Sequence, residues 1–246
     1  MEHGVAVVTG GTGGIGSAIC QRLHNNYKVI ACYFKSGKHD EAKKWQESQH
    51  AAGFDIDILY ADLVRFADCE KLISCVNKRH GQINILVNNA GITADTSLKK
   101  MTSGQWQQVI DTNLTSVFNI TRNTLPIMLA QKYGRIINIA SINGRKGQFG
   151  QCNYAASKAA LYGFTKSLAQ EVAGKNITVN VISPGYIDTS LLTSMNADVL
   201  QNIIANIPVG RLGTPTEIAE AVAFLAAPTS GFITGANLDI NGGQYM

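Results

Sequence analysis

The chain has 246 residues, 45% of them hydrophobic and 15% charged, with a net charge of +4. That is the balance of a globular protein with a sizeable core and a lean charged surface. It has no apolar run long enough to cross a bilayer, no basic run interleaved with aromatics, and no CxxC pair among its five cysteines. Membrane-spanning, nucleic-acid-binding, disulfide-framework and zinc-cluster readings therefore fall away.

The five histidines are scattered without metal-ligand spacing, so no metal is expected. The N-terminal stretch MEHGVAVVTG enters an apolar strand at once, with no basic start and no cleavage site. No export signal is expected, and a reducing cytoplasm is the expected setting. The small positive excess suits a phosphorylated small molecule or an acidic carrier.

In chain order, strands are predicted at 5–9, 28–33, 55–61, 84–88, 135–141, 178–183 and 237–240, several of them almost wholly apolar. Such runs suit strands buried on both faces of a parallel sheet. Helical patterns fill about 14–26, 40–52, 67–80, 103–131, 154–173 and 215–226. Thr214-Pro215-Thr216-Glu217 is a start signal for the last helix, with Pro at its first position and Glu three residues after a capping Thr. Gly81 and Gly134 each follow a helix and are candidates for a left-handed cap. Regular alternation predicts an α/β fold: one domain over 1–246, a doubly wound, Rossmann-type parallel sheet of seven strands with helices on both faces. Residues 187–214 are the least patterned. Ligands of such sheets sit beyond the carboxyl ends of the strands, so this stretch is a candidate substrate lid.

The segment VAVVTGGTGGIGSAI places Thr9, Gly10, Gly14 and Gly16 between the first strand and the first helix. Glycines there allow backbone N–H groups to approach a pyrophosphate, although a packing turn between strand and helix has the same look. The T-G-x-x-x-G-x-G spacing resembles the short-chain dehydrogenase/reductase family. Other motifs fall into order along essentially the whole chain: Asp62, NNAG at 88–91, Asn113, Ser141, Tyr154-x-x-x-Lys158 and PGYIDT at 184–189.

That resemblance implies a dinucleotide held by Gly10, Thr12, Gly14, Ile15 and Gly16. It implies Asp62 and Leu63 beside the adenine, and Asn89, Ala90 and Gly91 beside the adenosine and ribose. Pro184, Gly185, Ile187 and Thr189 would face the nicotinamide end, while Asn88 would tie strand four to its neighbour. Tyr33 stands where the family's NAD enzymes carry Asp, and no acid follows until Asp40. An acid about 20 residues after the glycines would repel a 2′-phosphate. NADPH is therefore expected, its phosphate resting on Lys35, with Lys38 nearby. Many NADP members carry a basic residue where this chain has Gly13. Two solvated surface lysines are the alternative reading.

Reduction of a carbonyl leaves negative charge on oxygen, which needs a proton. Tyr154 and Lys158 are four residues apart and share a helical face. A nearby cation lowers a tyrosine's pKa. The resemblance implies that Tyr154 is the general acid, that Lys158 lowers its pKa and bonds the nicotinamide ribose, and that Ser141 bonds the substrate carbonyl. It implies that Asn113 holds a water relaying protons to Lys158. The plain alternative is a mid-helix Asn bonding neighbouring backbone.

The stretches NGRKGQFGQCNYAASKA, VIDTNLTSVFN, SPGYIDT and IPVGRLGTPTEIA are similar to the bacterial acyl-thioester reductases of this family. These have a 3-oxoacyl-carrier-protein branch and an acetoacetyl-CoA branch. The first stretch is more similar to the acetoacetyl-CoA branch. By that resemblance Gln148, Phe149 and Gln151 line the acyl and pantetheine pocket, with Tyr186 opposite. Two amides and one aromatic suit a short 3-oxo thioester. A solvated hinge with Phe149 tucked into the core is the alternative. Lys132 and Lys175 stand roughly where the carrier-protein branch places docking arginines. A non-catalytic NADPH-binding sensor would be expected to lack Ser141, Tyr154 or Lys158, and all are present. Cys152 is expected to be a bystander thiol. Family analogy implies a homotetramer built on 103–131, 154–173 and the C-terminal strand.

Overall fold

The computed structural model describes residues 4–34, 37, 39–189 and 197–246. Seven strands, β1 (Gly4–Thr9), β2 (Tyr27–Tyr33), β3 (Ile56–Tyr60), β4 (Ile85–Asn88), β5 (Gly134–Ile139), β6 (Ile177–Pro184) and β7 (Asn237–Ile240), form one sheet in the order β3-β2-β1-β4-β5-β6-β7. All pairings are parallel. The order reverses between β1 and β4, so their carboxyl ends diverge into a crevice there.

Period-two alternation gives each sheet face its own core. Val5 and Val7 of β1 join Leu86 and Ile136 on one face, beneath helices α3 (Phe66–His80), α5 (Ser116–Gln131) and α7 (Cys152–Val172). Ala6 and Val8 join Val87 and Ile137 on the other, against α1 (Gly14–His24) and α9 (Pro215–Ala226). The remaining helices are α2 (His39–Ala51), α4 (Ser103–Ile110), α6 (Asn143–Lys146) and α8 (Ala197–Ala205).

Predicted ends hold to within two residues for nearly every strand. Thr214 does cap α9: its hydroxyl accepts from the Glu217 N–H, and the Glu217 carboxylate accepts from the Thr214 N–H. Gly81 takes the left-handed cap of α3.

Three expectations change. The cap of α5 falls on Lys132, with φ of 53°, and not on Gly134. Gly134 starts β5 instead and packs so closely that a Cβ there would lie 2.5 Å from the Met128 sulfur. The long helix predicted at 103–131 is interrupted by a π-helical turn at Asp111–Thr115, between α4 and α5. A π turn is a recurrent feature of functional sites, and it is invisible to a 3.6-residue period. Finally, the stretch read as irregular contains α8, while residues 190–196 lie outside the described residues.

A polar ladder crosses the middle of the core. Asn88 donates to Thr121 and to Asn138, and Asn138 donates to Thr165, at 3.1, 2.7 and 2.8 Å. It joins β4 and β5 to α5 and α7, and gives Asn88 the strand-tying role expected of it. Asn138→Ala would leave buried groups of Asn88 and Thr165 unpartnered, at about 1–3 kcal/mol each. Urea denaturation should show a loss of that order; an unchanged midpoint would contradict the ladder's role.

Candidate active site

The crevice above the carboxyl strand ends is a cleft of about 870 Å³. Its nucleotide end is built around Thr9, the last residue of β1. The buried Thr9 hydroxyl donates to Val87 O at 3.3 Å and accepts from the N–H groups of Asn89 and Ala90 at 2.9 and 3.0 Å. The Asn89 amide donates back to Thr9 O and Gly10 O. The glycine turn and the NNAG segment are thereby one unit. A Cβ on Gly16 would lie 2.1 Å from Gly10 O, so only glycine allows this turn to close on the helix. The first turn of α1 has no side-chain cap. Its free N–H groups fit the pyrophosphate of a dinucleotide.

Ile15, Asn89, Gly91, Pro184, Gly185, Ile187 and Thr189 line the cleft, as do Ser141, Tyr154 and Lys158. Gly10, Thr12, Gly14, Gly16, Asp62, Leu63, Ala90 and Asn113 stand outside that lining. Gly14 abuts Thr189, whose methyl group would be 3.0 Å from a Cβ there. Asp62 accepts from the Val64 N–H, and Leu63 is buried with its carbonyl held by Asn119. Lys35 and Lys38 lie outside the described residues. The hydroxyl of Tyr33 pairs with His39 Nδ1 at 2.9 Å, so the end of β2 presents a phenol where an acid would repel a 2′-phosphate.

Asn113 sits in the π turn, fully buried. Its Oδ1 accepts from the Ile92 N–H at 2.8 Å, and its Nδ2 donates to Ile92 O and to Ser157 Oγ. Its side chain therefore holds distant backbone 21 residues away, not the neighbouring turn. A Cβ on Gly91 would lie 3.3 Å from both Asn113 Oδ1 and Lys158 Nζ, which places the three together.

Tyr154 and Lys158 project from the same face of α7, with the ammonium 5.8 Å from the phenol ring centre. Lys158 is buried and donates to Ile139 O at 2.8 Å. Burial lowers its pKa to about 8. Burial also pushes the Tyr154 phenol upward, against a hydrogen bond from Ser141, with the charge of Asp95 adding to the rise. The net effect on the tyrosine is a rise, the reverse of the lowering expected from the lysine. Ser141 Oγ accepts from the Asn143 N–H at 3.1 Å, which leaves its own proton for Tyr154 or a ligand.

The glycine-rich middle of the 141–158 segment packs closely at its first glycine. A Cβ on Gly144 would lie 2.9 Å from the Lys158 carbonyl carbon, so α6 rests directly on α7 beside the lysine. Phe149 is 89% exposed and lines the cleft, which rules out the core-tucked reading. Gln148, Gln151 and Tyr186 line it too. Sequence reasoning missed Asp95, Asn143, Val199 and Ile203, which also line the cleft. Val199 and Ile203 are four residues apart on α8, an amphipathic signal that was available in the sequence. Lys132 and Lys175 precede β5 and β6, at the amino ends of the strands and so on the opposite side from the cleft at their carboxyl ends. Within one chain they do not border its entrance.

The lowered pKa of Lys158 has a sign. Between about 8 and the ordinary 10.5, the unfolded chain keeps a proton here that the folded chain has lost. Stability contributed by this residue therefore rises with pH across that window. Urea unfolding at several pH values should show the stability of the unmodified protein, relative to Lys158→Met, rising from pH 8 upward. A flat difference would contradict the burial effect.

The family profile described as short chain dehydrogenase matches residues 4–200. The chain is 48% identical to an acetoacetyl-CoA reductase of Allochromatium vinosum, over 98% of each chain. It is 48% identical to one of Cupriavidus necator over the whole of both. It is 39% identical to a 3-oxoacyl-(acyl-carrier-protein) reductase of Vibrio cholerae, over 100% of this chain and 99% of that one. With this glycine turn, this Ser-Tyr-Lys geometry and this parallel sheet, the chain belongs to the short chain dehydrogenase family of oxidoreductases.

Proposed function

We propose that this protein reduces a short 3-oxoacyl thioester with NADPH, acetoacetyl-CoA to (R)-3-hydroxybutanoyl-CoA being the preferred reaction. The observation that carries this reading is that Gln148, Phe149 and Gln151 line the same cleft as Ser141 and Tyr154. An exposed ring and two amides shield and hydrogen-bond a thin chain with polar carbonyls. Val199 and Ile203 add apolar surface to the same cleft.

When bound, the nicotinamide cofactor supplies the hydride. The glycine turn and the N–H groups of α1 would hold its pyrophosphate, and Asn89, Gly91, Pro184, Gly185, Ile187 and Thr189 would border the rest. Ser141, with its oxygen already accepting from Asn143, donates to the substrate carbonyl and holds the developing alkoxide. Tyr154 gives its phenolic proton to that oxygen, and burial keeps the proton in place until it is needed. Lys158 holds positive charge beside the tyrosine as the phenolate forms, and Asn113 fixes the loop at Ile92 against α7. NADPH is favoured over NADH because Tyr33, not an acid, ends β2.

Reduction of a 3-oxoacyl carrier protein is the second reading, supported by the Vibrio relative. A homotetramer is inferred as well, supported by exposed Phe118 on α5 and Phe232 beside β7. No described helix is long and apolar enough to cross a membrane. The cytoplasm is the proposed setting.

Loss of NADPH absorbance with acetoacetyl-CoA should report turnover, and catalytic efficiency should exceed that on acetoacetyl-carrier protein. A strong preference for the carrier protein would select the second reading, and no turnover on either would remove both. Tyr154→Phe should lower kcat by about 100-fold to 10,000-fold, the usual worth of a general acid. NADPH affinity, read by nucleotide fluorescence, should stay within about twofold of that of the unmodified protein. Surviving activity would refute Tyr154 as the acid.

A further inference from the structure

One polar feature of the cleft wall has no part in the reaction as described. Asp95, on the loop after the NNAG segment, accepts from Gln151 Nε2 at 2.7 Å. Gln151 Oε1 in turn accepts from Asn143 Nδ2 at 2.9 Å. Asn143 is buried, and its own Oδ1 accepts no hydrogen bond among the described residues. A buried orphan acceptor carries a desolvation cost, and native structures rarely keep one without reason.

The chemistry of the three groups supplies the reason. A carboxylate can only accept, whereas an amide accepts at one end and donates at the other. Asp95 therefore turns the NH₂ of Gln151 toward itself. The Gln151 carbonyl must then face Asn143, which answers with its NH₂, and the Asn143 carbonyl is left pointing away. With a neutral amide at 95, both side chains could invert, exchanging donor for acceptor along the chain. The observed polarity is imposed from the exposed end of the chain by charge.

We propose that Asp95 is a positioning residue that sets the donor and acceptor polarity of the Gln151–Asn143 amide chain, and through it the hydrogen-bonding face offered to the thioester. This rests on the thioester reading above. The loop that carries Asp95 is clamped for the purpose. The Thr96 N–H donates to Gly150 O at 2.8 Å, and Asn153 Nδ2 donates to Ala94 O at 3.3 Å. Both bonds come from the same short segment as Gln151. At the other end, the backbone N–H of Asn143 holds Ser141 Oγ, so one residue joins the amide chain to the proposed oxyanion donor. Asp95 lines the cleft, and burial, with the charge of Asp95 adding to it, raises the pKa of both Tyr154 and Tyr186.

The test moves the acceptor along the chain. Asp95→Asn should raise KM for acetoacetyl-CoA about tenfold, with kcat within about threefold and NADPH affinity unchanged. Adding Gln151→Glu to that variant restores an acceptor-only group in the middle. The new carboxylate can accept from Asn143 and from the amide introduced at 95, so most of the KM loss should be recovered. A direct contact of Asp95 with substrate would show no such rescue. Side-chain amide NMR gives the second readout, with the Asn143 signal identified by its absence in Asn143→Ala. That signal should shift in Asp95→Asn and return in the double variant. A KM within twofold of the unmodified protein, a double variant no better than the single, or an unmoved Asn143 signal would overturn the proposal. If the unmodified protein fails to turn over acetoacetyl-CoA, the thioester reading fails, and the amide signals, which need no substrate, still decide this one.

Discussion

A single buried hydroxyl closes the switch point of the sheet. Thr9 ends β1 and bonds three backbone groups of the neighbouring β4 connection, at Val87, Asn89 and Ala90. Parallel strands that diverge at a reversal of order leave unpaired backbone groups at their ends. Thr9 satisfies them while keeping the crevice open above. The glycine turn can then pass close to the Asn89 amide, and Gly16 can sit against Gly10 O where any side chain would collide. The nucleotide end of the cleft follows from that closure.

The proton-transfer end depends on burial in the opposite sense. Burial favours the neutral form of both Tyr154 and Lys158, so it holds the phenolic proton on and loosens the ammonium proton. Lys158 is held by one carbonyl, that of Ile139, and is packed beneath α6 through Gly144. The ammonium thus lies 5.8 Å from the centre of the phenol ring, with burial favouring the neutral form of both groups. A ribose hydroxyl and a developing phenolate would each give the ammonium a further partner.

The wall opposite is assembled from segments distant in sequence: the loop at 92–97, the segment at 141–151, the β6 end at 184–189, and α8. The segment at 141–151 is tied to two of the others by backbone bonds, Thr96 N–H to Gly150 O and Ile142 N–H to Pro184 O, whereas Phe149 and Val199 stand exposed. Ser141 and Asn143 are buried while Phe149 and Val199 are exposed, which suits a ligand whose reactive end must be oriented and whose tail need only be covered.

The amino-acid sequence by itself determined the strand–helix alternation, the parallel sheet, the glycine turn and the Tyr154–Lys158 pair, because these are written in local periodicity and in spacing along one element. It also placed Gln148, Phe149, Gln151 and Tyr186 on the cleft, by resemblance. The tertiary structure alone decided what depends on contacts between distant segments. The π turn at Asn113 is held by Ile92, the cap of α5 falls on Lys132 while Gly134 packs on Met128, and α8 turns Val199 and Ile203 to the cleft. The balance of the Tyr154 and Lys158 pKa values belongs here too, since burial has no signature in spacing. So does the Asp95–Gln151–Asn143 chain, whose members gain meaning only when a loop from β4 meets one from β5 and a charge at one end orients amides that a linear reading sees as neutral filler.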